Sequence, residues 1–214
     1  MNRLPRDEYY LRLAVGVAGR ATCLRRMIGA VMVKNDVIVS TGYNGNPRAM
    51  PHCEEIGCIR DELKIPSGER MEICTGVHAE MNALIFAGKE ARDGVLYTTL
   101  VPCNTCAKMI INAGVNRVVY AEGYPDRMGL VLLEEAGIPV ERLPVEMEVP
   151  LTRAAEETQG IIEAGSTLTI EEMREALAEK EQLMAQIAQG EKTLNEVAAH
   201  IIEERVSSLR KAKD

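Results

Sequence analysis

The chain has 214 residues, 46% of them hydrophobic and 27% charged, enough for one domain of ordinary size plus an appendage, with no apolar run long enough to span a bilayer. The formal charge of −7 lies in the last third, because residues 1–144 hold 17 basic and 17 acidic side chains and residues 145–214 hold 8 and 15. With no Trp, one Phe and six Tyr, the chain offers a polyanion no net positive surface and few stacking platforms, which favours a small substrate and makes nucleic acid an unlikely partner.

Residues 1–12 carry charges of both signs and lack the apolar core of a signal peptide, so a cytoplasmic location without membrane partners is expected. In that compartment the six cysteines read as metal or thiol chemistry rather than disulfides. Residues 5–22 space Tyr9, Leu13, Ala14, Val17 and Ala21 along one face and predict an amphipathic helix, with Arg20, Arg25 and Arg26 clustered at its end. Residues 28–33 and 37–41 are rich in strand formers and flank Lys34-Asn35-Asp36, the pattern of a hairpin. The second strand runs into Gly42-Tyr43-Asn44-Gly45-Asn46-Pro47-Arg48, a tight loop where backbone amides can approach a ligand.

Residues 49–76 read as irregular, with a short helical stretch at 59–64, and a connection this long is functional or tied down by something. Residues 77–88 then form a helix whose Met81, Ala83, Leu84, Ile85 and Phe86 make it apolar on most sides, which predicts burial. A strand at 95–100, a helix at 103–113 closed by Gly114, a strand at 115–121, a helix at 127–136 closed by Gly137 and a short strand at 138–143 follow. Alternating strands and helices predict an α/β layer structure with a mixed sheet.

Residues 144–150, with alternating Glu and two prolines, form a linker between a domain at 1–144 and an acidic helical extension at 145–214. Thr169-Ile170-Glu171-Glu172 and Thr193-Leu194-Asn195-Glu196 both have capping-box form. Apolar stripes of Ile170, Met173, Leu177, Met184 and Ile187, then of Leu194, Val197, Ala198, Ile201 and Leu209, predict two amphipathic helices separated by Gly190, with a weaker helix at 153–164. This extension has no catalytic constellation and suits an interaction role.

The chemistry is concentrated between His78 and Cys106. His78-Ala79-Glu80 opens one helix, and Pro102-Cys103-Asn104-Thr105-Cys106 opens the next. One imidazole and two thiols supply three zinc ligands and leave a fourth position open, as a catalytic zinc needs and a structural one does not. Glu80 stands beside that position as a proton carrier, base first and acid afterwards. The two helix N-termini converge on the metal and favour thiolate. H-x-E followed by P-C-x-x-C is the signature of the zinc nucleobase deaminases.

Gly42-Tyr43-Asn44-Gly45, His78-Ala79-Glu80-Met81-Asn82-Ala83, Pro102-Cys103-Asn104-Thr105-Cys106-Ala107-Lys108 and Tyr120-Ala121-Glu122-Gly123-Tyr124-Pro125-Asp126 together resemble the deoxycytidylate (dCMP) deaminases of the cytidine deaminase superfamily over about residues 6–143. The resemblance implies a three-layer α/β/α fold with a five-stranded mixed sheet, followed here by a C-terminal helical extension. It implies hydrolysis of dCMP to dUMP and ammonia, feeding thymidylate synthesis, a homo-oligomer with a hexamer favoured, and dCTP and dTTP as effectors, with Mg accompanying those nucleotides. Carried over by position, Asn44 contacts the sugar, Gly42–Asn46 shape the nucleotide pocket, the backbone at Ala79 reads the ring carbonyl, and Tyr120, Tyr124 and Asp126 form walls of the site. Arg25, Arg26 and Arg48, with Tyr43 and Gly45, are candidates for phosphate or effector binding, since guanidinium forks suit phosphate.

Some members of that family carry a second, non-catalytic zinc, and Cys23, Cys53, Cys58 and Cys74 are its candidate ligands here, with His52 an alternative to one thiol. Where relatives often place a histidine three residues before the last of these cysteines, this chain has Met71. Two other readings stay open: a deaminase of another nucleoside, nucleotide or tRNA base, and a catalytically silent fold used as a nucleotide sensor or scaffold. The intact Glu80 speaks against the silent reading.

Overall fold

The computed structural model describes residues 3–123, 127–145, 181–190 and 192–213. By its contacts the chain forms two compact units, Met1–Pro47 with Gly76–Arg153, and Arg48–Thr75 with Ala154–Asp214. The stretch predicted to be irregular therefore groups with C-terminal residues, which a linear division at 144 does not show.

The first unit is a sandwich. Its sheet contains β1 (Gly29–Lys34), β2 (Val37–Tyr43), β3 (Val95–Leu100), β4 (Arg117–Glu122) and β5 (Val140–Arg142) in the order β2-β1-β3-β4-β5. β1 is antiparallel to β2 and β3, and β3, β4 and β5 run parallel, so the sheet is mixed as expected. The hairpin turns on Asn35 and Asp36, with φ of 51° and 62°, the two successive left-handed residues of the turn type that matches strand twist.

One face of the sheet is covered by α1 (Arg6–Ala18) and the other by α4 (Ala79–Ala87), α5 (Asn104–Ala113) and α6 (Met128–Glu135). The α1 helix is present where its periodicity predicts it, and its buried face overlaps the predicted stripe without coinciding with it: Ala14 is buried, and Leu13 and Val17 are half-buried against the same core. Tyr10, Leu11, Ala14, Val15 and Ala18 turn inward, whereas Tyr9 is 47% exposed. Small residues decide this: a Cβ on Gly29 would stand 2.1 Å from the Ala14 carbonyl oxygen, so helix and strand backbones approach closely only with Ala14 and Ala18 facing the sheet. On the opposite face Met32, Leu96, Ile110, Val118 and Leu133 are buried completely or nearly so, each large aliphatic side chain contributing about 2 kcal/mol by leaving water.

The α4 helix corrects a second expectation. Ala79, Ala83 and Leu84 are buried, but Ile85 is 60% and Phe86 52% exposed. Sheet and α5 cover only part of the helix circumference, so the outer side of an apolar helix meets solvent.

The second unit contains α2 (Cys53–Ile56), α3 (Ile59–Glu62), a 3-10 turn (Met71–Ile73), a helical stretch at 181–188 and α7 (Leu194–Lys213). Its core joins Ile59, Leu63, Ile65 and Ile73 to Leu183, Val197, Ala198 and Ile201. The Thr193 capping box forms, with the Thr193 N–H donating to Glu196 at 2.7 Å and the Glu196 N–H donating to the Thr193 hydroxyl at 3.2 Å. Leu183 fills the core where Met184 was expected, and Met184 is 39% exposed. The expected helix at 153–164 and the apolar positions Ile170, Met173 and Leu177 lie outside the described residues.

Among the described residues no helix is long and apolar enough to cross a membrane.

Candidate metal centre

The sheet brings the functional segments to one end. Gly29 pairs with Tyr43 and Ala30 with Thr98, so the start of β1, the end of β2 and the carboxyl end of β3 share an edge, and parallel pairing of Leu100 with Glu122 adds the end of β4. The carboxyl ends of parallel strands are where open α/β sheets bind ligands. His78 reaches this edge through Val77, whose N–H donates to the Gly45 carbonyl at 2.8 Å and whose carbonyl accepts from the Gly45 N–H at 3.2 Å. Gly42 then seats α4, because a Cβ there would stand 2.2 Å from the Ala79 carbonyl oxygen and 2.4 Å from the Ala83 nitrogen. Asn82 adds a hydrogen bond from its side-chain amide to the Tyr43 carbonyl, 2.8 Å.

His78 and Cys103 each occupy the N-cap position of a helix, α4 and α5 respectively. His78 Nδ1 lies 3.3 Å from Cys106 Sγ and 3.5 Å from Cys103 Sγ. The ligand atoms of the three residues fall within 4.8 Å of one another, and they are the only His, Cys, Asp or Glu group among the described residues to gather so closely. An imidazole nitrogen and two sulfurs are zinc donors, and three atoms at these separations fit around one ion. The donor set is therefore suited to zinc. Cys53, Cys58 and Cys74, which share the second unit, form no such group, and none of the six cysteines is in a disulfide.

The electrostatics are those of a site built to take a cation. The hydrogen bond from Cys106 lowers the Cys103 thiol to about 4, assisted by His78, while that same bond and burial raise Cys106 above its ordinary value. Two sulfurs this close share one proton, and metal binding releases it. Glu80, in the first turn of α4, is 4% exposed. Burial raises its carboxyl to about 6, against the lowering influence of His78 and of its own backbone amide.

Asn44 is buried, its carbonyl oxygen accepting from the Ile28 N–H at 2.8 Å and its amide donating to the Arg26 carbonyl at 2.9 Å. Each end of the amide keeps one further hydrogen-bonding position. Tyr120 is half-buried on β4, on the same face as Val118 and hence on the side of α4, α5 and α6. Ala79 is fully buried at the first position of α4, where helix geometry leaves its N–H without an intrahelical acceptor. Arg25 and Arg26 are half-buried and belong to the first unit, Arg48 to the second, and Tyr43 is 37% exposed. Tyr124 and Asp126 lie outside the described residues.

Sequence reasoning assigned no role to the Gly45–Val77 bridge, to Asn82 or to Thr99, whose hydroxyl accepts from the Gly29 N–H at 3.1 Å. A buried threonine in a β-rich run carries no signal that separates this bond from strand propensity.

An α/β/α sandwich with a buried carboxylic acid beside an imidazole–dithiol cluster at its strand ends defines the class, a zinc-site protein of the cytidine-deaminase fold. The comparisons agree. A family profile described as the cytidine and deoxycytidylate deaminase zinc-binding region matches residues 4–122. The deoxycytidylate deaminase of Mycobacterium phage D29 is 38% identical over 126 residues, 56% of this chain and 97% of that protein. That of Schizosaccharomyces pombe is 35% identical over 147 residues, 67% of this chain and 46% of that protein. The crystal structure of dCMP deaminase from cyanophage S-TIM5 in complex with dCMP and dUMP superposes with a TM-score of 0.55 at 30% identity, covering 66% of this chain and all of that one. The chain belongs to the dCMP deaminase family, within the cytidine and deoxycytidylate deaminase zinc-binding superfamily. It spans about half the length of the yeast relatives it matches.

Proposed function

We propose that the protein hydrolyses dCMP to dUMP and ammonia, a step that feeds thymidylate synthesis. The observation that carries this reading is the convergence of His78, Cys103 and Cys106 with the buried Glu80 beside them. Its support for dCMP rather than another amine comes from the relatives, named as deoxycytidylate deaminases, and from the nucleotides held by the cyanophage protein.

His78, Cys103 and Cys106 would hold the zinc, which as a Lewis acid would bring the pKa of a water down toward neutrality. Glu80 carries the protons. Its carboxylate takes one from the attacking water and delivers it to the ring nitrogen, and a second transfer lets the amine leave as ammonia; water adds, ammonia departs, and no covalent enzyme intermediate is needed. The first-turn amide of Ala79 reads the ring carbonyl, Asn44 uses its remaining amide positions on the sugar, and Tyr120, with Tyr124 and Asp126, lines the pocket. Arg25, Arg26 and Arg48 meet substrate or effector phosphate, with Tyr43 and Gly45 shaping the same loop. Effectors of the dCTP and dTTP type, accompanied by Mg, act on an oligomer, for which a hexamer is favoured. The apolar Ile85 and Phe86 that α4 turns to solvent support self-association.

The test is ammonia release from cytidine, dCMP, CMP and dCTP, with Glu80→Ala as control. The zinc-loaded protein is expected to prefer dCMP. Inactivity on all four, indistinguishable from the control, would overturn the reading and leave a deaminase of another nucleoside, nucleotide or tRNA base and the silent nucleotide sensor or scaffold. Zinc per chain, compared between wild type and Cys53→Ser, decides the second zinc of Cys23, Cys53, Cys58 and Cys74; a value of one in both forms excludes it.

A further inference from the structure

We infer that Gly129 is a positioning residue for the metal site: because it has no side chain, α6 can seat its backbone on the Pro102–Cys103 turn and fix where the Cys103 sulfur stands. The inference rests on the reading of His78, Cys103 and Cys106 as zinc ligands. A Cβ at Gly129 would stand 2.0 Å from the Pro102 carbonyl oxygen and 2.9 Å from the Cys103 carbonyl carbon. Side-chain carbons essentially never come within 3.0 Å of such atoms, so an alanine here demands a shift of about 1 Å. The opposing atoms are backbone, and no side chain can rotate away to absorb it.

Both partners in this contact are held from behind. Leu133, one turn further along α6, is fully buried in the core between sheet and helices. On the other side Pro102 is fully buried, the Val101 N–H donates to the Glu122 carbonyl at 2.9 Å, and the Cys103 carbonyl accepts from the Ala107 N–H at 2.8 Å. The displacement is therefore shared, and part of it falls on the residue that bears a ligand sulfur. A zinc–sulfur bond of about 2.3 Å tolerates only about 0.2 Å, so even a fraction of that shift is felt by the metal. A glycine is disfavoured in a helix relative to alanine, and this close approach supplies the reason for one in the first turn of α6.

The test compares wild type, Gly129→Ala and Gly29→Ala. Gly29 is the matched control, since a Cβ there would stand 2.1 Å from the Ala14 carbonyl oxygen and 2.5 Å from the Ala18 nitrogen, on the other face of the sheet. Zinc affinity is measured by competition with a chromophoric chelator, ligand geometry by the absorption bands of bound cobalt(II), and folding of the metal-free forms by circular dichroism. Gly129→Ala is expected to fold without metal, to bind zinc at least ~10-fold more weakly, as residues that orient metal ligands do, and to shift the cobalt bands. Gly29→Ala is expected to lose thermal stability while keeping wild-type affinity and spectrum. Wild-type affinity and spectrum in Gly129→Ala, equal loss of zinc in both variants, or failure of metal-free Gly129→Ala to fold where wild type folds would each overturn the inference. A wild type that takes up no zinc sinks the site reading and the inference with it.

Discussion

Replacing Arg205 by methionine keeps most of the aliphatic stem and removes the guanidinium that fastens α7 to the 53–73 segment. That group donates to the Ile56 carbonyl and pairs with Glu62, whose side chain is only 19% exposed against 31% for Arg205. An exposed ion pair contributes 0–1 kcal/mol, whereas removing one partner of a buried pair costs about 3–5 kcal/mol, so this half-buried pair belongs at about 2 kcal/mol. That energy corresponds to a ~30-fold change in an opening equilibrium. Native-state hydrogen exchange reads it directly. The Glu62 N–H donates to the Cys58 carbonyl and the Leu63 N–H to the Ile59 carbonyl, each at 3.0 Å, and their protection is expected to fall ~30-fold in Arg205→Met. Amides of β3, in the other compact unit, are expected to keep their wild-type protection. Protection within 3-fold of wild type at Glu62 and Leu63 would refute the magnitude, and equal loss across β3 would refute the assignment of this contact to the second unit alone.

Glu80→Gln preserves shape and removes the proton carrier, so turnover of dCMP is expected to fall by about 10²–10⁴ while zinc content by mass spectrometry stays at the wild-type value. Stripping zinc with a chelator is expected to abolish ammonia release, with recovery on adding zinc back; activity in protein shown by elemental analysis to be metal-free would contradict the site. The Arg117 guanidinium donates to both Asp7 oxygens, at 3.0 and 2.8 Å, and with the Tyr97 hydroxyl at 2.7 Å holds the Asp7 carboxyl below its ordinary 3.8. A depressed carboxylate stabilises the fold above the unfolded-state pKa and stops doing so as pH falls through the folded value. The melting-temperature gap between wild type and Asp7→Asn is therefore expected to be constant from pH 5 to 8 and to close in stronger acid, and a gap still at full size once acid has titrated the carboxyl counts against the pair.

The gathering of the candidate ligands was legible because metal chemistry restricts residue type and helix geometry restricts spacing: His78 caps the helix whose first turn carries Glu80, and Cys103 caps the helix whose first turn carries Cys106. Strand 95–100 was legible in both limits, being a β-rich run between turns. The side of α1 that turns inward was legible only in part: Leu13, Ala14 and Val17 of the predicted stripe do meet the core, whereas Tyr9 is exposed, and Tyr10, Leu11, Val15 and Ala18 complete the buried face that the close approach to Gly29 requires. The exposure of Ile85 and Phe86 was hidden for a related reason, since periodicity reports how apolar a helix is and not how much of it one chain can cover. The partner of the 53–73 segment could not be read at all, for a core joining Ile59 to Val197 leaves no local pattern.

That last contact also bears on the order in which the molecule is made. Arg205 meets Ile56 and Glu62 across 149 and 143 residues, whereas the sheet is complete by Arg142 and His78 lies only 28 residues from Cys106. During synthesis the strands and all three candidate zinc ligands leave the ribosome well before α7 does. The nascent chain thus passes through a stage in which the metal pocket can close while Ile59, Leu63, Ile65 and Ile73 still lack their cover. The span from Cys53 to Ile73, though translated early, thus acquires its C-terminal neighbours late, and it stands open to proteases and chaperones in the interval.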